Sequence, residues 1–251
     1  MWSLETVAIT KTFFGPPVLS GVAIQCEQGR ITGLIGPNGS GKTTLFNCIT
    51  NVTRPDSGAI LLEGENITGL NIHQRALRGI ARTYQIVRLF REMSVVENML
   101  LAIQQHQSTK ALDMVLQRPN IRKFEHEALK KSLELLDFVE IAHLKDSLAG
   151  NISYGQQKLL EFAMALLPSP KIILLDEPAA AINPVLINKM VDHIASLNRQ
   201  GQTFLIIEHN MDVIMSICSK IIVLDQGRKL VEGAPAEIQN NQLVMDAYFG
   251  G

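Results

Sequence analysis

The sequence predicts an α/β fold with a mostly parallel sheet, an antiparallel β portion near the N-terminus and an inserted α-helical subdomain. Three observations lead there. Gly36-Pro37-Asn38-Gly39-Ser40-Gly41-Lys42-Thr43 fits G-x-x-x-x-G-K-[ST] and lies between a short apolar stretch, Arg30–Ile35, and a helix start at Thr44–Ile49. Two later strand-like runs, Ile172–Leu175 and Thr203–Ile207, end at Asp176-Glu177 and Glu208-His209, as buried parallel strands do where they emerge at a polar site. Beyond Gln85 short strands give way to helical periodicity. The 251 residues are therefore expected to form one domain, with 1–85 and about 160–251 as its core and about 86–159 as the helical subdomain.

The first strands are expected at Val7–Ile9 and Val22–Ile24, separated by the turn Gly15-Pro16-Pro17. Phe13 and Phe14 precede that turn, and the residues alone are equally compatible with stacking on a nucleotide base and with an aromatic pair in a hairpin or core. Arg54–Gly58 is expected to turn into a strand at Ala59–Leu62, and Ile80–Tyr84 leads into Gln85. Ser94 and Glu97 form a capping box for a helix bearing Val95, Val96, Met99, Leu100 and Ile103. A second helix, Ile121–Leu136, is expected to bury Phe124, Ala128, Leu129, Leu133 and Leu136, after a variable connection over Gln107–Asn120. Ser153 caps a third, with Leu159, Leu160, Phe162, Ala163, Leu166 and Leu167 apolar up to Pro168. A helix with Leu186, Ile187, Met190, Val191, Ile194 and Leu197 on one face, a strand at Lys220–Leu224 and two short helices within 234–249 complete the alternation.

Composition narrows the class. Hydrophobic residues are 46% and charged residues 19%, which is globular, and a net charge of −1 offers no bulk attraction to nucleic acid or an anionic membrane. No apolar run approaches the roughly 18 residues of a spanning helix. Met1–Glu5 has no signal-peptide pattern, so a cytoplasmic chain is expected. Cys26, Cys48 and Cys218 lack metal-like spacing and read as small buried hydrophobes.

The candidate phosphate site runs through Gly36, Pro37, Asn38, Gly39, Ser40, Gly41, Lys42, Thr43 and Thr44. Its glycines let successive N–H groups converge on an anion, Lys42 adds a mobile charge for the outer phosphates, and Thr43 offers a hydroxyl to Mg2+. A helix dipole contributes about 0.3–1 kcal/mol toward a nearby anion and each hydrogen bond to a charged group about 1.5–3 kcal/mol, so the cradle of donors dominates. Asp176 and Glu177 are adjacent at a strand end and must point to different places, which suits Asp176 to Mg2+ and Glu177 to polarising the water that attacks the γ-phosphate. His209 ends a second strand in the same way and is a candidate to contact the γ-phosphate or orient that water; the other five histidines read as structural. Gln85, at the junction with the helical stretch, is the remaining catalytic and Mg2+-binding candidate.

The ordered series Gly36–Thr43, Gln85, Ile152-Ser153-Tyr154-Gly155-Gln156, Asp176-Glu177 and His209 resembles the nucleotide-binding subunits of ATP-binding cassette transporters over essentially the whole chain. The resemblance implies a phosphate-loop NTPase core and an ATPase that binds ATP and Mg2+. It implies that ATP is sandwiched in a head-to-tail dimer with an identical or related ATPase subunit, Ser153, Tyr154, Gly155 and Gln156 of one chain facing the phosphate loop of the other. It further implies stacking of Phe13 on adenine, docking of the region after Gln85 on membrane permease subunits at the inner face of the membrane, indirect dependence on a soluble solute-binding protein, and no nucleic-acid partner. Arg88–Asn98, Tyr154–Gln157 and Asp246–Gly250 resemble, more narrowly, the ATPases of importers for branched-chain amino acids and their urea or amide relatives.

Four positions depart from the wider family's pattern: Ile152 and Tyr154 in the signature, and Ala181 with Asn183 where glycine and aspartate are frequent. Tyr154 is familiar in the branched-chain group; Ala181 and Asn183 bear on communication between paired sites. A cassette that acts as an ATP-driven switch in DNA repair or translation is the alternative, although such chains usually carry two cassettes or a long coiled-coil insertion. A small kinase or GTPase with an accidental signature is a second.

Overall fold

A computed structural model describes residues 1–104 and 119–249. Two sheets form its frame. The first is antiparallel, with order β2 (Leu19–Glu27), β1 (Trp2–Lys11), β4 (Ser57–Leu62), β5 (Glu65–Asn66). The second runs β10 (Arg228–Gly233), β9 (Lys220–Asp225), β3 (Ile31–Ile35), β8 (Thr203–Ile207), β7 (Ile172–Asp176), β6 (Ile80–Arg82), and only the β9–β10 pair is antiparallel.

The parallel strands are buried on both faces, so their residues alternate between two cores. Ile173 and Leu175 of β7 and Phe204 and Ile206 of β8 face one core; Ile172, Leu174, Leu205 and Ile207 face the other. The second core also holds Leu45, Phe46, Cys48 and Ile49 of α1 (Lys42–Thr50), together with Leu4, Ile9, Val22 and Ile24 of the antiparallel sheet. Helix α1 is thus clamped between the two sheets. All three cysteines are buried and free, with the Cys26 thiol pushed up to about 12 by desolvation.

The short helix α2 (Ile72–Leu77) gives no periodic signal, yet it carries Arg75, which is 1% exposed. The guanidinium donates through Nη1 to the carbonyls of Cys48 and Ile49, both at 2.7 Å, and through Nη2 and Nε to those of Thr68 and Leu70. It therefore satisfies carbonyls at the C-terminal end of α1, where a cation also complements the helix dipole. Burial pushes its pKa down to about 10, still far above neutrality.

On the other face lie α3 (Val95–Gln104), α4 (Pro119–Phe138), a short 3-10 turn (Ala142–Leu144), α5 (Tyr154–Leu166), α6 (Pro184–Arg199), α7 (Met211–Ile217), α8 (Pro235–Gln239) and α9 (Gln242–Phe249). The expected capping box at Ser94 is present, and the expected cap at Ser153 is also a full box. The Ser94 N–H donates to Glu97 Oε2 at 2.7 Å while Ser94 Oγ accepts from the Glu97 N–H at 3.3 Å, and Ser153 and Gln156 pair likewise. Asn98 is buried on α3: its Oδ1 accepts from the Phe90 N–H and its Nδ2 donates to the Phe90 and Ser94 carbonyls, folding the preceding loop onto the helix.

Helix α4 corrects the periodicity reading. Leu129 is 37% exposed, and Ser132 is fully buried in line with Ala128 and Leu136. The buried stripe follows i, i+4, i+8 from Ala128, and Leu129 lies about 100° off it. The variable connection expected over Gln107–Asn120 falls largely outside the described residues. Among the described residues no helix is long and apolar enough to cross a membrane.

Arg75→Met keeps the stem and deletes the guanidinium's four hydrogen bonds, taking one donor from each of four carbonyls. It is expected to lower unfolding free energy by about 2–4 kcal/mol, read from urea denaturation of the full chain.

Candidate active site

The register of the parallel sheet assembles the site. Leu34 of β3 and Asp176 of β7 both pair with Ile207 of β8, so Gly36, Glu177 and Glu208 leave the same edge side by side. Gly36 takes φ +149, and a Cβ there would stand 2.0 Å from the Leu224 carbonyl oxygen, so the chain turns off β3 only through glycine. Lys42 folds back over the loop, its Nζ donating to the carbonyls of Gly36 at 2.8 Å and Pro37 at 2.9 Å. Burial pushes its pKa down, while Glu177 and Asp176 pull it up. Thr43 is exposed at the helix start, beside partly buried Thr44.

Asp176 and Glu177 do diverge. Asp176, 3% exposed, accepts a hydrogen bond from Arg82 Nη2 at 2.8 Å. Glu177 points into the cleft: Gln85 Nε2 donates to its Oε2 at 2.9 Å, and His209 Nε2 stands 3.1 Å from its Oε1. The three catalytic candidates thus meet at one carboxylate, although 92 residues separate Gln85 from Glu177. Glu177 holds φ +52, an uncommon left-handed conformation secured by its N–H donating to the Ile207 carbonyl and its own carbonyl accepting from Lys158 Nζ at 2.7 Å.

Several supporting groups gave no signal in the sequence. Arg82 bridges Asp176 and Asn47 Oδ1 of α1, with its guanidinium beside the rings of Phe46 and Tyr84. Glu208 is buried, accepting from the N–H groups of Ala179, His209 and Asn210. Glu161 on α5 accepts from the Tyr84 and Arg88 N–H groups at 3.3 and 3.4 Å, holding both sides of Gln85. Of these only Glu208 was findable, as the acid directly before His209; the others meet their partners through tertiary packing.

The Ser153–Gln156 segment does not join the phosphate loop within this chain. Among the described residues its links run to the helical side: Tyr154 Oη donates to the Gln85 carbonyl at 3.3 Å, and a Cβ at Gly155 would meet Leu186 Cδ2 at 2.1 Å unless that side chain moved. Ser153 and Tyr154 are exposed. Phe13 and Phe14 are exposed as well, at 51% and 100%, so a core role for either is excluded; Lys11 Nζ lies 5.4 Å from the Phe13 ring. Ala181 has φ +59, which explains why glycine would suit that position, and Asn183 Oδ1 caps α6 by accepting from the Leu186 N–H at 2.9 Å. The capping oxygen is one that asparagine and aspartate share.

No ligand set of three or more histidine, cysteine or acidic side chains occurs among the described residues. The hydroxyl of Thr43, the amide of Gln85 and the carboxylate of Asp176 instead offer single hard oxygens, the donor set Mg2+ takes when phosphate and water supply the rest.

A family model described as "ABC transporter" matches residues 19–180, and one described as "Branched-chain amino acid ATP-binding cassette transporter" matches residues 228–251. The chain is 41% identical over 248 residues to the high-affinity branched-chain amino acid transport ATP-binding protein BraF of Pseudomonas aeruginosa, covering 98% of this chain and 97% of that one. It is 40% identical to LivG of Escherichia coli, a protein of the same description, with the same coverage. A nucleotide-free ATP-binding cassette from an ABC transporter superposes with a TM-score of 0.87 at 36% identity, covering 100% of both chains. The ADP conformation of MJ1267, an ATP-binding cassette of an ABC transporter, gives 0.86 at 35%, again over 100% of both.

Two expected outcomes follow from the site's supports. Burial pushes the Glu161 carboxyl from 4.5 up to about 7, against the lowering pull of the Tyr84 and Arg88 N–H groups, Lys158 and Arg88. Between those values the folded chain keeps a proton that the unfolded chain has lost, so stability falls as pH rises through this window. In urea denaturation, Glu161→Gln is expected to gain about 2–3 kcal/mol relative to the parent from pH 4.5 to just above pH 7. Ala181→Gly relieves a left-handed alanine and is expected to raise stability by about 0.5–1 kcal/mol in the same assay.

Proposed function

From the premise that this chain belongs to the ATP-binding cassette transporter family, we propose that Glu177, Gln85 and His209 form its hydrolytic centre. The protein binds and hydrolyses ATP and energises solute import. The observation that carries the catalytic assignment is the Glu177 carboxylate, held between Gln85 and His209 beside the edge from which the phosphate loop departs.

Residues Gly36, Pro37, Asn38, Gly39, Ser40, Gly41, Lys42, Thr43 and Thr44 are assigned to the ATP phosphates, and Phe13 to the adenine, for which its exposure leaves it free. On binding, Lys42 exchanges its Gly36 and Pro37 carbonyls for phosphate oxygens. Glu177 orients and polarises the attacking water, and Gln85 and His209 fix that carboxylate and its surroundings. Thr43, Asp176 and Gln85 are assigned to Mg2+, which supplies charge neutralisation to the phosphates when bound.

Ser153, Tyr154, Gly155 and Gln156 are assigned to the ATP of a second ATPase subunit, identical or related, because in their own chain they lie apart from the phosphate loop. This reading divides the chain into a core of 1–85 and about 160–251 and a helical subdomain of about 86–159. The second boundary falls inside α5, whose Leu159–Leu166 half packs on the sheet core. We assign the cargo to the branched-chain amino acid class named for the relatives, with selection made by permease subunits and a soluble binding protein, and the chain to the cytoplasmic face of the membrane.

Glu177→Gln is expected to retain ATP binding, to lose about 10²–10⁴-fold in turnover and to accumulate as a dimer. Steady-state ATPase assays and size-exclusion chromatography with MgATP check this; turnover at the parental rate would remove Glu177 as the base.

A further inference from the structure

The phosphate loop is gripped from the far end of the chain. Gly36 is buried and β3 ends at Ile35, so its N–H lies just past the described strand bonding and needs an acceptor. Tyr248 on α9 supplies it, with Oη 2.8 Å from the Gly36 nitrogen across 212 residues of sequence. The ring is half-buried and packs against the sheet core. A second tie comes from the turn between β9 and β10, where the Gly227 N–H donates to the Ser40 carbonyl at 3.1 Å. The loop backbone is therefore pinned at both of its shoulders by the segment that follows β9.

The choice of a phenol is chemically informative. A carboxylate would accept the same hydrogen bond but add a negative charge beside the phosphates, repelling them. Burial pushes the Tyr248 phenol up, keeping it a neutral acceptor. The hydroxyl also belongs to the segment, 228–251, that carries the branched-chain match, and not to residues 19–180 shared with the wider family.

We propose that α9 is a clasp on the phosphate loop and that Tyr248 is a positioning residue for nucleotide binding. The hydroxyl holds the first loop peptide in the nucleotide-free chain, so that the anion-binding N–H groups are already arranged when ATP arrives. Without it the loop samples other conformations, and binding must reorder them. The inference rests on the phosphate-loop assignment made above.

The test is Tyr248→Phe, which keeps the packed ring and deletes the acceptor. Titration of the full chain with MgADP is expected to show affinity reduced about three- to tenfold, with KM for ATP raised alike and kcat within about twofold. Unchanged MgADP affinity alongside a lowered melting temperature would make Tyr248 merely structural and overturn the proposal, as would a lower kcat at constant KM. In the unsubstituted, nucleotide-free chain the Gly36 amide is expected to exchange with solvent at least about tenfold more slowly than the exposed Gly39 amide; comparable rates would overturn the clasp without any variant. Lys42→Ala separates the two levels: if it bound MgADP as well as the parent, the phosphate-loop assignment itself would fail.

Discussion

The phosphate loop, Glu177 and the Glu208-His209 pair take their positions from the parallel pairing of β3, β8 and β7. Strands that run the same way and are buried on both faces must release their chains at one common edge, and the register decides which residues arrive there together. Because Leu34 and Asp176 both pair with Ile207, the glycine that opens the phosphate loop, the Glu177 carboxylate and the Glu208-His209 pair emerge at the same level. The alternating aliphatic side chains of these strands hold that register from two sides, since a one-residue slip would exchange the two cores.

Around this edge the acidic groups are given distinct tasks by what holds them. Glu208 is spent on backbone N–H groups, Asp176 faces Arg82, and Glu177 alone reaches into the cleft toward Gln85 and His209. The left-handed backbone of Glu177 breaks the extended strand directly after Asp176. Lys158 then ties the Glu177 peptide to α5, and Glu161 and Tyr154 on the same helix hold the loop bearing Gln85. A rigid movement of α5 thus acts on both sides of the carboxylate.

The ends of α1 are held by unrelated means. At its N-terminal side the loop backbone is pinned by Tyr248 and Gly227, and at its C-terminal side the carbonyls are filled by Arg75. Between them the helix is packed on both sheets. Gln85 and α5 each meet Glu177 through a single hydrogen bond, the first at its carboxylate and the second at its backbone carbonyl.

Local sequence determined the phosphate-loop pattern, the capping box at Ser94, the cap at Ser153 and the buried strands that end at Asp176-Glu177 and Glu208-His209. Each of these depends on residue types at short, regular spacing, which backbone geometry translates directly. In α4 the buried stripe takes in Ser132 and leaves Leu129 exposed, because a periodic pattern with few apolar residues fits more than one helix face. Helix α2 with Arg75, the Arg82–Asp176 pair, the Glu161 tether and the Tyr248 contact were decided only by the tertiary structure. Their partners lie up to 212 residues away and include backbone atoms, which carry no sequence identity of their own. Side-chain chemistry can be read along a chain, whereas an acceptor or donor supplied by a distant peptide group exists only once the sheet has closed around it.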